Sequence, residues 1–182
     1  MATLPVNLYG DEILRRKAKH VESLDEKTRK FIDDMFETMR ASEGVGLSAN
    51  QVGSRDAIFV IDVSPLEGYE DEKPTVFINP KIVERSDETD YYEEGCLSLP
   101  GLRAEVERPT RITIEYLDEE FQPRKLTRDD FVARVVQHEY DHLRGVFFTD
   151  LLEDESRRRL KKSLNAIKRR KVDVHYEVTE PA

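Results

Sequence analysis

The segment Gln137-His138-Glu139-Tyr140-Asp141-His142 sets two imidazoles four residues apart, with a carboxylate beside the first. In a helix, side chains at i and i+4 share one face, their Cβ atoms about 5–6 Å apart. Both ring nitrogens can then close on a single metal ion at ~2.0–2.1 Å. The adjacent Glu stands within reach of a water that such a metal activates. These residue types at this spacing point to hydrolysis. His138 and His142 share a stripe with Phe131 and Val135, a pattern that buried core histidines also give. Two of them on one face beside Glu139 favour a metal.

A catalytic metal generally takes three protein ligands and leaves a position for water. In a metzincin-like extension of His-Glu-x-x-His, a Gly and then a third His follow. Gly145 fits, but Phe148 occupies the position of that His, so the extension fails. Glu153 or Glu155 could complete the set as in thermolysin-like proteases, although both adjoin a basic segment and suit solvated roles. The remaining candidate is Cys96, in Glu93-Glu-Gly-Cys-Leu-Ser-Leu-Pro-Gly101, where glycine and proline indicate a turn rather than the middle of a strand. A lone cysteine is commonly a small buried hydrophobe. Bound to a metal at ~2.3 Å it would instead be a thiolate. Two imidazoles and one thiolate suit Fe(II), Zn, Co or Ni better than Mg or Ca.

The elements that must position these groups are legible in outline. Asp25 to Ala41 reads as an amphipathic helix, with Ile32, Met35, Phe36 and Met39 on one stripe, Ser23 as N-cap, and Gly44 and Gly46 closing it. Ala57 to Val63 and Thr75 to Ile78 read as strands, joined by an acidic, turn-rich and mobile loop from Ser64 to Pro74. Leu102 to Glu107 and Arg111 to Leu117 alternate as strands around a break at Pro109, and Asp118 to Pro123 connects to a further strand, Arg124 to Leu126. Thr127-Arg-Asp-Asp130 resembles a capping box opening the metal helix, which Gly145 stops. Asp150 to Lys171 reads as a last helix. The fold class expected is α+β: one domain over residues 1–182, mostly antiparallel strands around a central metal-binding helix, with a C-terminal helix.

The length, 182 residues, suits one self-sufficient core, and with a single cysteine there is no intramolecular disulfide. No apolar run approaches the ~20 residues that span a bilayer, and the N-terminus has neither a secretory nor a transit-peptide pattern, so a cytoplasmic protein is expected. Nine Lys or Arg and no acid lie between Arg157 and Lys171; removing them from the net charge of −9 leaves −18 for the rest. That asymmetry invites contact with ribosomal RNA through phosphate neutralisation, or is simply a solvated helix face.

Three motifs together make the chain recognisable. They are Gly44-Val-Gly-Leu-Ser-Ala-Asn-Gln51, Glu94-Gly-Cys-Leu-Ser98 and Gln137-His-Glu-Tyr-Asp-His142. In this order and spacing the chain resembles the peptide deformylase family over essentially its whole length. Ser48 departs from the Ala usual in the family's first motif. The resemblance implies removal of the N-formyl group from the initiator Met of nascent peptides, giving formate and a free amino terminus. It implies one divalent metal, Fe(II) above Zn, Ni or Co, held by Cys96, His138 and His142, with Glu139 as general base. It also implies that the Gln51 side-chain amide and the Leu97 backbone N–H receive the oxyanion. Gly44, Val45 and Gly46 would bind substrate, Gly46 by letting the peptide backbone pair with the strand and Val45 near an apolar pocket for the Met side chain, and Arg103 is a further candidate for substrate contact. Glu94, Gln137 and Asp141 would orient ligands from behind. Neither membrane nor DNA contact is expected. The alternatives are a His-Glu-x-x-His metallopeptidase, which leaves Cys96 and Gln51 without roles, and a metal-holding module without turnover.

Overall fold

The computed structural model describes residues 2–181. Seven strands and three helices follow in the order α1 (Glu26–Ala41), β1 (Gly46–Ser48), β2 (Ile58–Ile61), β3 (Thr75–Arg85), β4 (Thr89–Cys96), β5 (Leu99–Pro109), β6 (Ile112–Leu117), β7 (Pro123–Arg128), α2 (Phe131–Leu143) and α3 (Asp154–Lys168). Five strands form one antiparallel sheet, ordered β1-β2-β3-β6-β7, and β4 pairs with β5 in a separate hairpin. The α+β architecture around a central helix is as the sequence predicts.

β2 is Ile-Phe-Val-Ile and is buried on both faces, as expected of a strand between other layers. Its alternate residues feed two apolar clusters. Ile58 and Val60 face α1 residues such as Met35 and Met39, while Phe59 and Ile61 join the cluster containing Val132, Val135 and Val136 of α2. α2 is buried over most of its circumference: Arg134, Gln137, Glu139 and His142 are inside together with the valines. A helix so enclosed cannot rotate freely, which fixes the directions of its functional side chains.

Several boundaries differ from the sequence expectation. Asp25, not Ser23, caps α1, its carboxylate accepting the N–H of Thr28 at 2.8 Å. Gly46 lies in β1, pairing with Ile61, rather than ending the helix. Thr127 belongs to β7 opposite Thr113, so α2 is capped by Asp130, which accepts the N–H of Val132 at 3.1 Å. The sheet's pairing outweighs the local capping pattern. β3 and β5 run longer than predicted, and β4 adds a strand that the charged run Thr89–Glu94 concealed. The segment 64–74 is not simply free loop: Leu66 and Tyr69 pack on the second cluster, and the Tyr69 hydroxyl accepts the N–H of Phe131 at 3.2 Å. The last predicted helix divides into a short turn, Phe148–Leu151, and α3.

Gly145 closes α2 with φ 78°, and a Cβ there would stand 2.6 Å from the carbonyl oxygen of Arg15. Both facts require glycine.

Candidate active site

Cys96 is the last residue of β4, immediately before the turn into β5, so the predicted turn lies one step beyond it. That position brings its sulfur to α2. Cys96 Sγ lies 3.2 Å from His142 Nε2, and His142 Nε2 lies 3.2 Å from His138 Nε2. The three donor atoms all fall within 4.8 Å of one another, forming a possible metal site among the described residues. Donors at metal–nitrogen and metal–sulfur distances in tetrahedral array would be about 3.3–3.6 Å apart.

The His138 tautomer agrees with this arrangement, while His142 Nδ1 is buried without a protein partner. His138 Nδ1 lies 2.8 Å from Glu94 Oε1, a contact that assigns the proton to Nδ1 and leaves a lone pair on Nε2. Three donor atoms packed this closely need a cation between them, either a proton shared by hydrogen bonding or a metal that displaces it, so the donor set fits a divalent metal. Burial, reinforced by the charges of His138 and Arg108, pushes His142 well below its ordinary value, which keeps it a neutral donor. Burial opposes charge on His138 too, but hydrogen bonds to Cys96 and Glu94 outweigh it and raise His138.

Glu94 is the hub behind the candidate donor set. It is 6% exposed, and besides His138 it accepts Arg108 Nε at 2.6 Å, Arg108 Nη2 at 3.0 Å and Arg134 Nη1 at 3.0 Å. Burial alone would raise Glu94; the bonds from His138 and Arg108 reverse this and bring it to about 2. Asp141 reaches the hub only through Arg108 Nη1, at 2.8 Å, and Gln137 instead donates to the carbonyls of Pro109 and Ala133. Of the three orienting residues predicted, Glu94 touches a ligand, Asp141 acts one residue away and Gln137 fastens the helix to β5. Arg108 and Arg134 were not foreseen. Each is an Arg in an element with a solvated face, and its acidic partners come from distant segments.

Glu139 is buried, and its Oε2 has no hydrogen-bond partner within the protein. Such a group is costly unless it has a task. Burial is the first cause that moves Glu139, up to about 7. A carboxylate titrating near neutrality is suited to general acid–base work. Gly46 of β1 lies against it, for a Cβ there would be 2.9 Å from Glu139 Cγ.

Gln51 sits in a short 3-10 turn, Ala49–Val52, after β1, and is buried. Its side-chain amide donates to Ser98 Oγ at 3.0 Å and lies 3.5 Å from Cys96 Sγ, on the metal side. Its oxygen accepts the backbone N–H and the hydroxyl of Ser48, each at 3.0 Å. Ser48, the departure noted in the first motif, is thus fully buried against the amide and helps to fix its orientation. Asn50 donates to the carbonyl of His142 at 2.6 Å, tying this motif to the end of the metal helix.

A cleft of about 890 Å³ opens over these groups; its lining includes Gly44, Val45, Leu97, Arg103, His138 and Glu139. Arg103 is exposed and packs over Gly95 on the β4–β5 hairpin. Glu155, a rival ligand by sequence, pairs instead with Arg159 on the surface at 2.9 Å.

The family model described as "Polypeptide deformylase" matches residues 3–158. The chain belongs to the peptide deformylase family. Among curated relatives, the peptide deformylase of Chlorobaculum parvum is 43% identical over 179 residues, 98% of this chain and 95% of the relative. That of Pelodictyon phaeoclathratiforme is 45% identical over 177 residues, 97% of this chain and 94% of the relative. The peptide deformylase of Ehrlichia chaffeensis in complex with actinonin superposes with TM-score 0.85 at 38% identity, covering 95% of this chain and 100% of the other. The deformylase is therefore a hydrolytic enzyme that removes formyl groups, and the His138–His142 motif, the Cys96 motif and the Gln51 motif meet at the same cleft. No described helix is long and apolar enough to cross a membrane.

Proposed function

We propose that this deformylase hydrolyses the N-formyl group of the amino-terminal Met of newly made peptides, using one divalent metal held by Cys96, His138 and His142. The observation carrying this is the convergence of three soft and borderline donors beside a buried, unpartnered Glu139, with the Gln51 amide on the same side. A bound metal supplies Lewis acidity toward water and the formyl oxygen. Fe(II) is the proposed occupant, with Ni, Zn and Co chemically acceptable to the same donors.

The residues divide the remaining work. Glu139 takes a proton from the attacking water, whose oxygen forms a bond to the formyl carbon. The carbonyl electron pair moves to oxygen, where the Gln51 amide and the Leu97 N–H would receive the charge. Collapse breaks the C–N bond as Glu139 returns the proton to nitrogen, giving formate and a free amine. Removing one such oxyanion donor costs ~10²–10³ in turnover. Gly44 and Val45, leading into β1, and Gly46 at its start offer an edge to an extended peptide, a mode that accepts many sequences after Met. Apolar residues of the cleft, Val45 and Val135 among them, suit the Met side chain, and Arg103 can meet the peptide farther along.

The proposed ribosome contact uses α3. Leu160, Leu164 and Ile167 face the body, while Arg158, Lys161, Lys162 and Arg169 are exposed. Not all nine basic residues are available: Arg157 and Arg159 pair with Asp154 and Glu155, and Arg170 with Asp11.

The test is formate release from a formyl-Met peptide under anaerobic conditions with Fe(II), Ni or Zn. Anaerobic handling protects the metal and thiolate from oxidation. Release that Cys96→Ala abolishes is expected; no formate with any of the metals would refute the proposal, and full activity of Cys96→Ala would favour the metallopeptidase alternative.

A further inference from the structure

Beyond α3 the chain returns to the cleft along a path the three motifs do not cover. Arg170 adopts φ 59° and reverses the chain. Its guanidinium then bridges the ends of the returning loop, donating to the Thr179 carbonyl at 2.9 Å, to Thr179 Oγ1 at 3.1 Å and to Asp11 at 2.7 Å. Thr179 Oγ1 donates to the other oxygen of Asp11 at 2.6 Å. The segment docks on the N-terminal segment, where Val6 N–H donates to the Glu177 carbonyl at 2.9 Å and Thr179 N–H to the Val6 carbonyl at 3.0 Å. Between these fastenings, Asp173 to Tyr176 form part of the cleft wall.

Tyr176 reaches furthest inward. Its ring packs on the main apolar cluster and its hydroxyl donates to the carbonyl of Leu97 at 2.6 Å, a short bond for O–H···O. The residue after Leu97 is held from the opposite side. Ser98 Oγ donates to the Asn7 carbonyl at 2.6 Å, Tyr9 N–H donates to the Ser98 carbonyl at 3.0 Å, and Asn7 N–H donates to the Gln51 carbonyl at 2.7 Å. The two terminal segments, joined to each other through Val6, thus brace both proposed oxyanion donors.

We infer that Tyr176 is a positioning residue that holds Leu97 so that its N–H stays aimed at the developing oxyanion. The inference rests on the deformylase reading above. Oxyanion donors act because they need not reorganise during the reaction, so the carbonyl anchor on Leu97 matters more to turnover than to substrate binding. Tyr176→Phe removes only the hydroxyl and keeps the ring packed. Turnover should fall about tenfold, short of the ~10²–10³ that follows loss of a donor outright.

The experiment compares Tyr176→Phe with the parent, both metal-loaded, by formate release, metal content, thermal unfolding and amide hydrogen exchange around Leu97. The expected result is a tenfold lower kcat, KM and metal content unchanged, an unshifted unfolding temperature, and faster exchange around Leu97. A kcat within twofold of an active parent would overturn the inference, as would a raised KM with unchanged kcat, which would make the tail a substrate wall only. A kcat loss that merely follows metal loss or unfolding would overturn it too. If the parent itself released no formate, the deformylase reading would fail instead, and unchanged exchange around Leu97 would still dispose of the Tyr176 anchor.

Discussion

Replacing Gly46 with Ala adds a single carbon between β1 and the metal helix. That carbon would lie 2.9 Å from Glu139 Cγ, 3.1 Å from Glu139 Cδ and 3.1 Å from Val135 Cγ1. Comfortable carbon contacts begin at about 3.5 Å, so something must retreat by roughly 0.5 Å. The strand is held by its pairing with Ile61, and α2 is held by Arg134, Gln137 and Asn50. With both backbones restrained, the Glu139 carboxylate gives way. Misplacing a reacting group by ~1 Å costs on the order of 10²-fold, so half that displacement should lower kcat roughly tenfold. Overpacking should also destabilise the fold by about 1–3 kcal/mol, or a few degrees in Tm per kcal/mol for a chain of this size. Stopped-time formate assays at saturating peptide, with metal content measured in parallel, read the effect on Glu139 separately from the ligands. If Gly46→Ala kept parental kcat and Tm, the claim that β1 sets the position of the general base would be wrong.

Other outcomes follow from the same geometry. Glu94→Gln, which removes the charge shared by Arg108, Arg134 and His138, should lower the stability of the metal-free protein by about 3–5 kcal/mol and weaken metal affinity ~10–100-fold, measured by thermal unfolding and by metal titration. Glu139→Gln should keep its metal while losing ~10²–10⁴ in kcat; retained turnover would remove Glu139 as the base. The Asp11 clasp gives a pH dependence: burial would raise its carboxyl, but bonds from Thr179, Arg170 and Asn7 prevail and hold it below the ordinary 3.8. Its stabilisation is therefore complete above about pH 4 and lost as pH falls through the lowered value. The difference in Tm between the parent and Asp11→Asn should stay constant from pH 8 to about 4 and narrow below that; a gap that widened in acid would contradict the pairing.

The α2 motif and the Cys96 and Gln51 motifs were legible as sequence because each is a local pattern of residue types. β2 was legible because a strand buried on both faces has no polar alternative. What escaped was set by contacts between distant segments. Arg108 and Arg134 look like surface charges until β4 brings Glu94 and Asp90 to them. Thr127 has the chemistry of a cap, but its pairing with Thr113 draws it into the sheet. The charged run of β4 hides a strand because its hairpin leaves most of its side chains in solvent. The segment after α3 carries a strand-like signal, the polar–apolar alternation from Lys171 to Val178, but it is short, and its importance comes from where it docks.

The parallel bridge between Val6 and Val178 joins residues near opposite ends of the chain. Nearly all of the described chain lies in the loop that this contact closes, and closure entropy rises with loop length. The hairpins β4–β5 and β6–β7 close over short separations and gain nothing from waiting. Folding order is therefore built into the molecule: the metal cradle, carried by the β4–β5 turn and α2, can assemble before the terminal clasp. Unfolding should retrace this path, with the clasp opening first. A partly opened chain would keep its ion yet lose the brace behind Leu97, so inactivation would precede metal release.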